Sequence, residues 1–184
     1  MKEIFKNLYV GNQDDFNMID DDEAFSLCLC AKTFHKLYAR LDGADYDGYS
    51  GNMANTESEY LVADRPENHM IVFNMIDVDS PKYFSPVIFE KALNFITREI
   101  GSGRKVLVCC NQGKSRSASI ALMWLMAKTN LIANLKVDTF EELEYNYRKV
   151  YPDYEPKEGV RYYCRGVFEE VKKEIDYYDE SEKN

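Results

Sequence analysis

The sequence predicts an α/β fold, a central, mostly parallel sheet flanked by helices. Three observations carry this expectation. Strand-like and helix-like patterns alternate along the chain, the order that builds parallel sheets through crossover helices. The run Met70-Ile71-Val72-Phe73-Asn74-Met75 is apolar but for Asn74, as suits a strand buried on both faces. A helix from about residue 117 to 128 is apolar nearly all round, a pattern that belongs to a buried, central position.

The elements follow in order. Leu8-Tyr9-Val10-Gly11-Asn12 reads as a short strand ended by a turn, and residues 24–31 as a buried strand with Phe25, Leu27 and Leu29 on one side. Between residues 32 and 68 the period is lost among Gly43, Gly48, Gly51 and many Asp, Asn, Ser and Tyr. That stretch is expected to be a long surface excursion with little regular structure. After the strand at Met70, Ser85 as cap and Pro86 in the first turn open a helix with Phe89, Ala92, Leu93, Ile96 and Ile100 on one stripe. Gly101 and Gly103 end it. A short strand over residues 105–109, a polar loop and the buried helix come next. Thr139 and Glu142 form a capping box for a further helix. Val160, Cys164, Val167, Phe168, Val171 and Ile175 give a last amphipathic helix.

A length of 184 residues suits one domain. Its expected span is 1–178, with 32–68 as a variable insert and 179–184 as an acidic tail. A net charge of -9 and a pI near 4.8 argue against broad nucleic-acid binding or attachment to anionic membrane, since both need a positive field. No stretch approaches the roughly 18 apolar residues of a membrane span, and the start, Met-Lys-Glu-Ile-Phe-Lys, lacks the apolar core of a signal peptide. Five Cys is an odd count, and Cys28, Cys30, Cys109 and Cys110 sit in apolar runs, so reduced thiols and a cytoplasmic setting are expected. With two His and no Cys/His cluster of ligand spacing, no metal or other cofactor is expected. A monomer is expected.

The segment Cys110-Asn111-Gln112-Gly113-Lys114-Ser115-Arg116-Ser117 joins the strand to the buried helix. A strand-loop-helix turn aims consecutive backbone N–H groups and a helix N-terminus at one point, which makes an anion site. Phosphate is the natural ligand. A thiol at the start of such a loop sits in a positive field, which can lower a thiol pKa from about 8.5 into the range of roughly 3.5 to 7.5. Cys110 is therefore the candidate nucleophile. Arg116, six residues later, can fold its guanidinium over the bound group and hold two oxygens bidentately. Gly113 allows the tight turn.

Cys, five residues, Arg and then a hydroxyl residue resembles the active-site loop of the protein tyrosine phosphatases, and the Gly-x-Ser-Arg-Ser ending resembles the dual-specificity branch. Asn7-Leu8-Tyr9-Val10-Gly11-Asn12 and Tyr151-Pro152-Asp153-Tyr154-Glu155-Pro156 are similar to the family's opening strand and to its turn before the last helix. The resemblance spans roughly residues 4–175, with 32–68 poorly matched. It implies a general-acid Asp about thirty residues before the nucleophile, which falls on Asp79; Asp77 is the competitor. It further implies that the 111–116 loop binds phosphate, and that a cysteinyl-phosphate forms and is hydrolysed. In that scheme the Ser117 hydroxyl helps the thiolate leave, and the substrate is phosphotyrosine and phosphoserine or phosphothreonine in a phosphorylated protein or peptide.

Two departures stand out. The family usually has His before the nucleophile, where it orders the loop and favours the thiolate; this chain has Cys109, which implies a higher pKa for Cys110 or slower turnover. Cys109 is either a core residue of the strand or a thiol that protects Cys110 from over-oxidation. The other departure is the insert, whose Tyr46 and Tyr49 are expected to border the pocket. Lys114 leaves a non-protein substrate open (a phosphoinositide, a phosphorylated glycan or an RNA 5′ end), since extra cations suit multiply charged groups. The missing His leaves open a phosphate-binding module without turnover.

Overall fold

The computed structural model describes residues 1–19, 24–39 and 59–181. Its centre is a six-stranded sheet in the order β1-β2-β6-β3-β5-β4, formed by β1 (Lys2–Phe5), β2 (Leu8–Gly11), β3 (Phe25–Leu29), β4 (Val62–Arg65), β5 (Met70–Phe73) and β6 (Lys105–Cys109). The four inner strands run parallel: β6 pairs with β2 and β3, and β3 with β5. Only the edges, β1 on β2 and β4 on β5, are antiparallel. The α/β class and the mostly parallel sheet are those expected.

The inner strands are apolar because both faces are covered; every residue of β3 and β5 is buried. Helices α1 (Gln13–Ile19) and α2 (Lys32–Tyr38) meet through edge-on contacts of Phe16 with Phe34 and Tyr38. A second group, α3 (Pro86–Gly101), α4 (Arg116–Lys128) and α7 (Glu158–Ser181), packs so that α4 lies between β2, β6, α3 and α7. That enclosure explains its all-round apolarity: its residues from Arg116 to Met126 are all buried. Two shorter helices, α5 (Leu131–Leu135) and α6 (Phe140–Val150), connect α4 to α7. The expected capping box of α6 is present, Glu142 N–H donating to Thr139 Oγ1 at 3.2 Å while the Glu142 carboxylate accepts from Thr139 N–H.

Several expectations are corrected. The 32–68 stretch carries regular structure at both ends: α2, edge strand β4 and a 3-10 turn at Pro66–Asn68. Two helical turns are too short to display a period, and β4 mixes Val62 and Ala63 with Asp64 and Arg65 because only part of it is covered. Tyr46 and Tyr49 lie outside the described residues. The turn expected at Asn12 opens α1, through a reciprocal pair in which Asp15 N–H donates to Asn12 Oδ1 at 3.0 Å and Asn12 N–H to Asp15 Oδ2 at 2.9 Å. Ser85 stands at the N-cap of α3, but its side chain makes no capping bond and its buried hydroxyl has no partner. Finally, α7 runs to Ser181, into the stretch read as a tail. Without Gly or Pro beyond Ile175, nothing in the local chain stops the helix there.

Candidate active site

β6 is flanked on both sides by parallel neighbours, and its carboxyl end opens into residues 110–115, after which Arg116 begins α4. Ligands of open α/β sheets bind outside the carboxyl ends of the strands. At Gly113 the backbone turns with φ +76°, and a Cβ there would stand 3.1 Å from the Gly11 carbonyl and 3.2 Å from the Tyr151 hydroxyl. The Tyr151 hydroxyl donates to the Gly113 carbonyl at 3.0 Å. Burial pushes the Tyr151 phenol up, so it remains a donor.

Cys110 is 1% exposed and Arg116 7%. Cys110 Sγ lies 3.2 Å from Ser117 Oγ. Arg116 Nη1 donates to the Met75 carbonyl at 2.9 Å, while Nε is buried without a hydrogen-bond partner. An unpaired buried guanidinium N–H is costly, and an oxyanion at this spot would satisfy it. Asn111 is held from two sides: Thr33 Oγ1 donates to its Oδ1 at 2.9 Å, and Gln13 N–H to its carbonyl at 3.3 Å. The Lys114 carbonyl accepts from Glu155 N–H at 3.0 Å, and its ammonium lies 3.5 Å from the Glu155 carboxylate. Beside the loop is a depression of about 390 Å³ lined by Asp77, Asp79, Gln112, Lys114, Ser115 and residues 155–158.

The Asp pair is split by its contacts. Asp77 Oδ1 accepts from Ser115 Oγ at 2.7 Å. Asp79 Oδ1 accepts from Glu158 N–H, in the first turn of α7, at 3.4 Å. That turn is drawn close by Gly159, whose N–H donates to the Val78 carbonyl at 3.2 Å and where a Cβ would stand 2.4 Å from that oxygen.

At the position before Cys110, the Cys109 thiol donates to the Asn12 carbonyl at 3.1 Å. Burial, reinforced by the neighbouring Cys110, pushes this thiol well above its ordinary value. Cys109 is a neutral group that pins the β2–α1 turn beneath the loop, in keeping with a core role.

Sequence reasoning had not identified the Met75 carbonyl, Thr33, the Tyr151 hydroxyl and the N-terminus of α7 as parts of this site. Tyr151 belongs to the segment similar to a family turn, but nothing in its local pattern places its hydroxyl on Gly113. The other contacts are long-range backbone meetings that no local pattern signals. Among the described residues, no group of His, Cys, Asp and Glu has the arrangement of a metal site, and no helix is long and apolar enough to cross a membrane.

A family model described as "Dual specificity phosphatase, catalytic domain" matches residues 48–152. The chain belongs to the dual specificity phosphatase family. A probable dual specificity protein phosphatase of Dictyostelium discoideum is 29% identical over 137 residues, covering 72% of this chain and 51% of that protein. Dual specificity protein phosphatase PHS1 of Arabidopsis thaliana is 38% identical over 72 residues, 39% of this chain and 7% of that protein. The chain thus aligns with about half the length of one of these relatives and a small part of the other. Among solved structures, human DUSP28 superposes with a TM-score of 0.57 at 14% identity, covering 92% of this chain and 93% of that one. That likeness concerns the fold.

Proposed function

We propose that the protein is a cysteine-dependent phosphatase that removes phosphate from phosphotyrosine and phosphoserine or phosphothreonine in proteins, with Cys110 as nucleophile. The observation that carries this reading is the meeting, at one strand-to-helix turn, of Cys110 Sγ, Ser117 Oγ at 3.2 Å and the unpartnered Nε of Arg116. In the first step the Cys110 thiolate bonds to phosphorus, the ester P–O bond breaks, and Asp79 gives its proton to the leaving oxygen. In the second, water bonds to phosphorus and loses its proton to Asp79. The S–P bond breaks, and the Ser117 hydroxyl donates to the departing thiolate. Arg116 and the amides of residues 111–116 hold the equatorial oxygens throughout. Asp77 and Asp79 both line the depression. Asp79 is assigned as the acid because it has the spacing that the family resemblance implies and because the bond it accepts, from Glu158 N–H at 3.4 Å, is longer than the 2.7 Å bond that Asp77 accepts from Ser115. Five free thiols, all buried, favour a reducing, cytoplasmic setting, and we propose that the protein acts there as a monomer.

The test is hydrolysis of an aryl phosphate and of a panel of phosphopeptides, phosphoinositides and RNA 5′ phosphates. Activity is expected to vanish in Cys110→Ser and to fall about a hundredfold or more in Arg116→Ala. Asp79→Asn is expected to lower kcat while retaining substrate binding, and phosphopeptides should be the best substrates. Activity surviving Cys110→Ser would refute the mechanism, and a preference for lipid or RNA would refute the substrate class.

A further inference from the structure

Residues 75–79, between β5 and α3, touch the anion loop in ways that acid catalysis does not require. The Met75 carbonyl accepts from Arg116 Nη1 at 2.9 Å. Asp77 Oδ1 accepts the Ser115 hydroxyl proton at 2.7 Å and lies 3.9 Å from Arg116 Nε. Ser115 Oγ in turn accepts Lys157 N–H at 3.0 Å. One hydroxyl thereby ties together the acid-bearing segment, the loop and the entry to α7. This use of Ser115 also explains why, although it is the N-cap of α4, its side chain makes no capping bond.

The charges point the same way. The Arg116 side chain is 8% exposed, and a buried cation needs a counter-charge when no anion is bound. Among the described residues, Asp77 supplies the carboxylate within 4 Å of it. At 3.9 Å that carboxylate forms no hydrogen bond with Nε, which stays unpartnered. Asp77 thus balances the arginine's charge while the Nε–H keeps its capacity to donate.

We propose that Asp77 is a positioning residue with two separable effects: its bond from Ser115 locks the acid-bearing segment to the loop, and its charge holds Arg116 until an anion binds, at a cost in anion affinity. The proposal rests on the phosphatase reading. A phosphoryl dianion reaching Arg116 meets a like charge nearby, and the Coulomb repulsion weakens binding. Asn at position 77 can still accept from Ser115 but carries no charge; Ala carries no charge and cannot accept.

Tungstate, an oxyanion of phosphate shape, serves as the probe, its binding followed by calorimetry at fixed ionic strength beside the kinetics. Asp77→Asn is expected to bind tungstate about threefold or more tightly than wild type and to show a lower KM. Asp77→Ala is expected to lose about tenfold or more in kcat, because the segment bearing Asp79 is uncoupled from the loop. Ser115→Ala should reproduce that loss without the tighter tungstate binding of Asp77→Asn. Unchanged or weaker tungstate binding in Asp77→Asn overturns the charge role, and equal kcat in Asp77→Ala and Asp77→Asn overturns the locking role. If an active wild-type enzyme gives either result, this inference alone fails. If the wild type binds no tungstate and hydrolyses no aryl phosphate, the phosphatase reading fails with it.

Discussion

Gly113 shows how tightly single residues constrain the site. Its φ of +76° is the left-handed conformation in which a side chain is strained, and the Gly11 backbone and the Tyr151 hydroxyl leave no room for a Cβ. In Gly113→Ala the loop must either carry about 1 to 2 kcal/mol of strain or open. The expected outcome is a lower urea midpoint together with a fall in tungstate affinity. A variant with wild-type affinity would show that the loop does not need this turn. Cys109 makes a related point about substitution at a fixed place. The resemblance implies a His there that orders the loop, and here a neutral thiol donates to the Asn12 carbonyl instead.

Among the elements, legibility in the sequence followed burial. β5, β6, α3 and α4 were readable because the sheet and its covering helices enclose them, so their apolar residues recur with a clear period or none at all. β1 was missed because three of its four residues are exposed and it pairs on one side only. α1 was missed because only Phe16 and Ile19 of its seven residues are buried, too few to display a stripe. The same logic divides the site. The loop from Cys110 to Ser117 could be read as an anion turn because strand, loop and helix are contiguous. The partners that hold it, Met75, Asp77, Tyr151 and Lys157, come from distant segments, and only the folded chain brings them together. Asp77 is the instructive case: the sequence made it a competitor of Asp79 for one role, whereas the structure gives it a different set of contacts.

The molecule as a whole should respond to pH through His35. It is fully buried in α2, with its Nε2–H donating to the Glu59 carbonyl at 2.7 Å, and burial lowers its pKa from 6.5 to about 4. The unfolded chain takes up this proton near 6.5 and the folded chain only near 4, so within that window the unfolded state binds more protons. The stability contributed is present in full above the upper value, declines as pH falls and is gone below the lower. At about pH 5 the expected loss is about 2 kcal/mol relative to about pH 7.5, measured by urea unfolding. His35→Gln should be less stable at neutral pH and should show a shallower dependence; an unchanged slope would assign it to other groups.

If Cys110 is the nucleophile, a phosphoenzyme forms during turnover and can be trapped. In the proposed scheme Asp79→Asn removes both the acid of the first step and the base of the second. Because p-nitrophenolate is a weakly basic leaving group that departs without a proton, protein quenched in acid during turnover of p-nitrophenyl phosphate should carry one phosphoryl group, on the peptide that contains Cys110. A phosphoryl group on another residue, or hydrolysis at an undiminished rate with none trapped on Cys110, would contradict this role of Cys110.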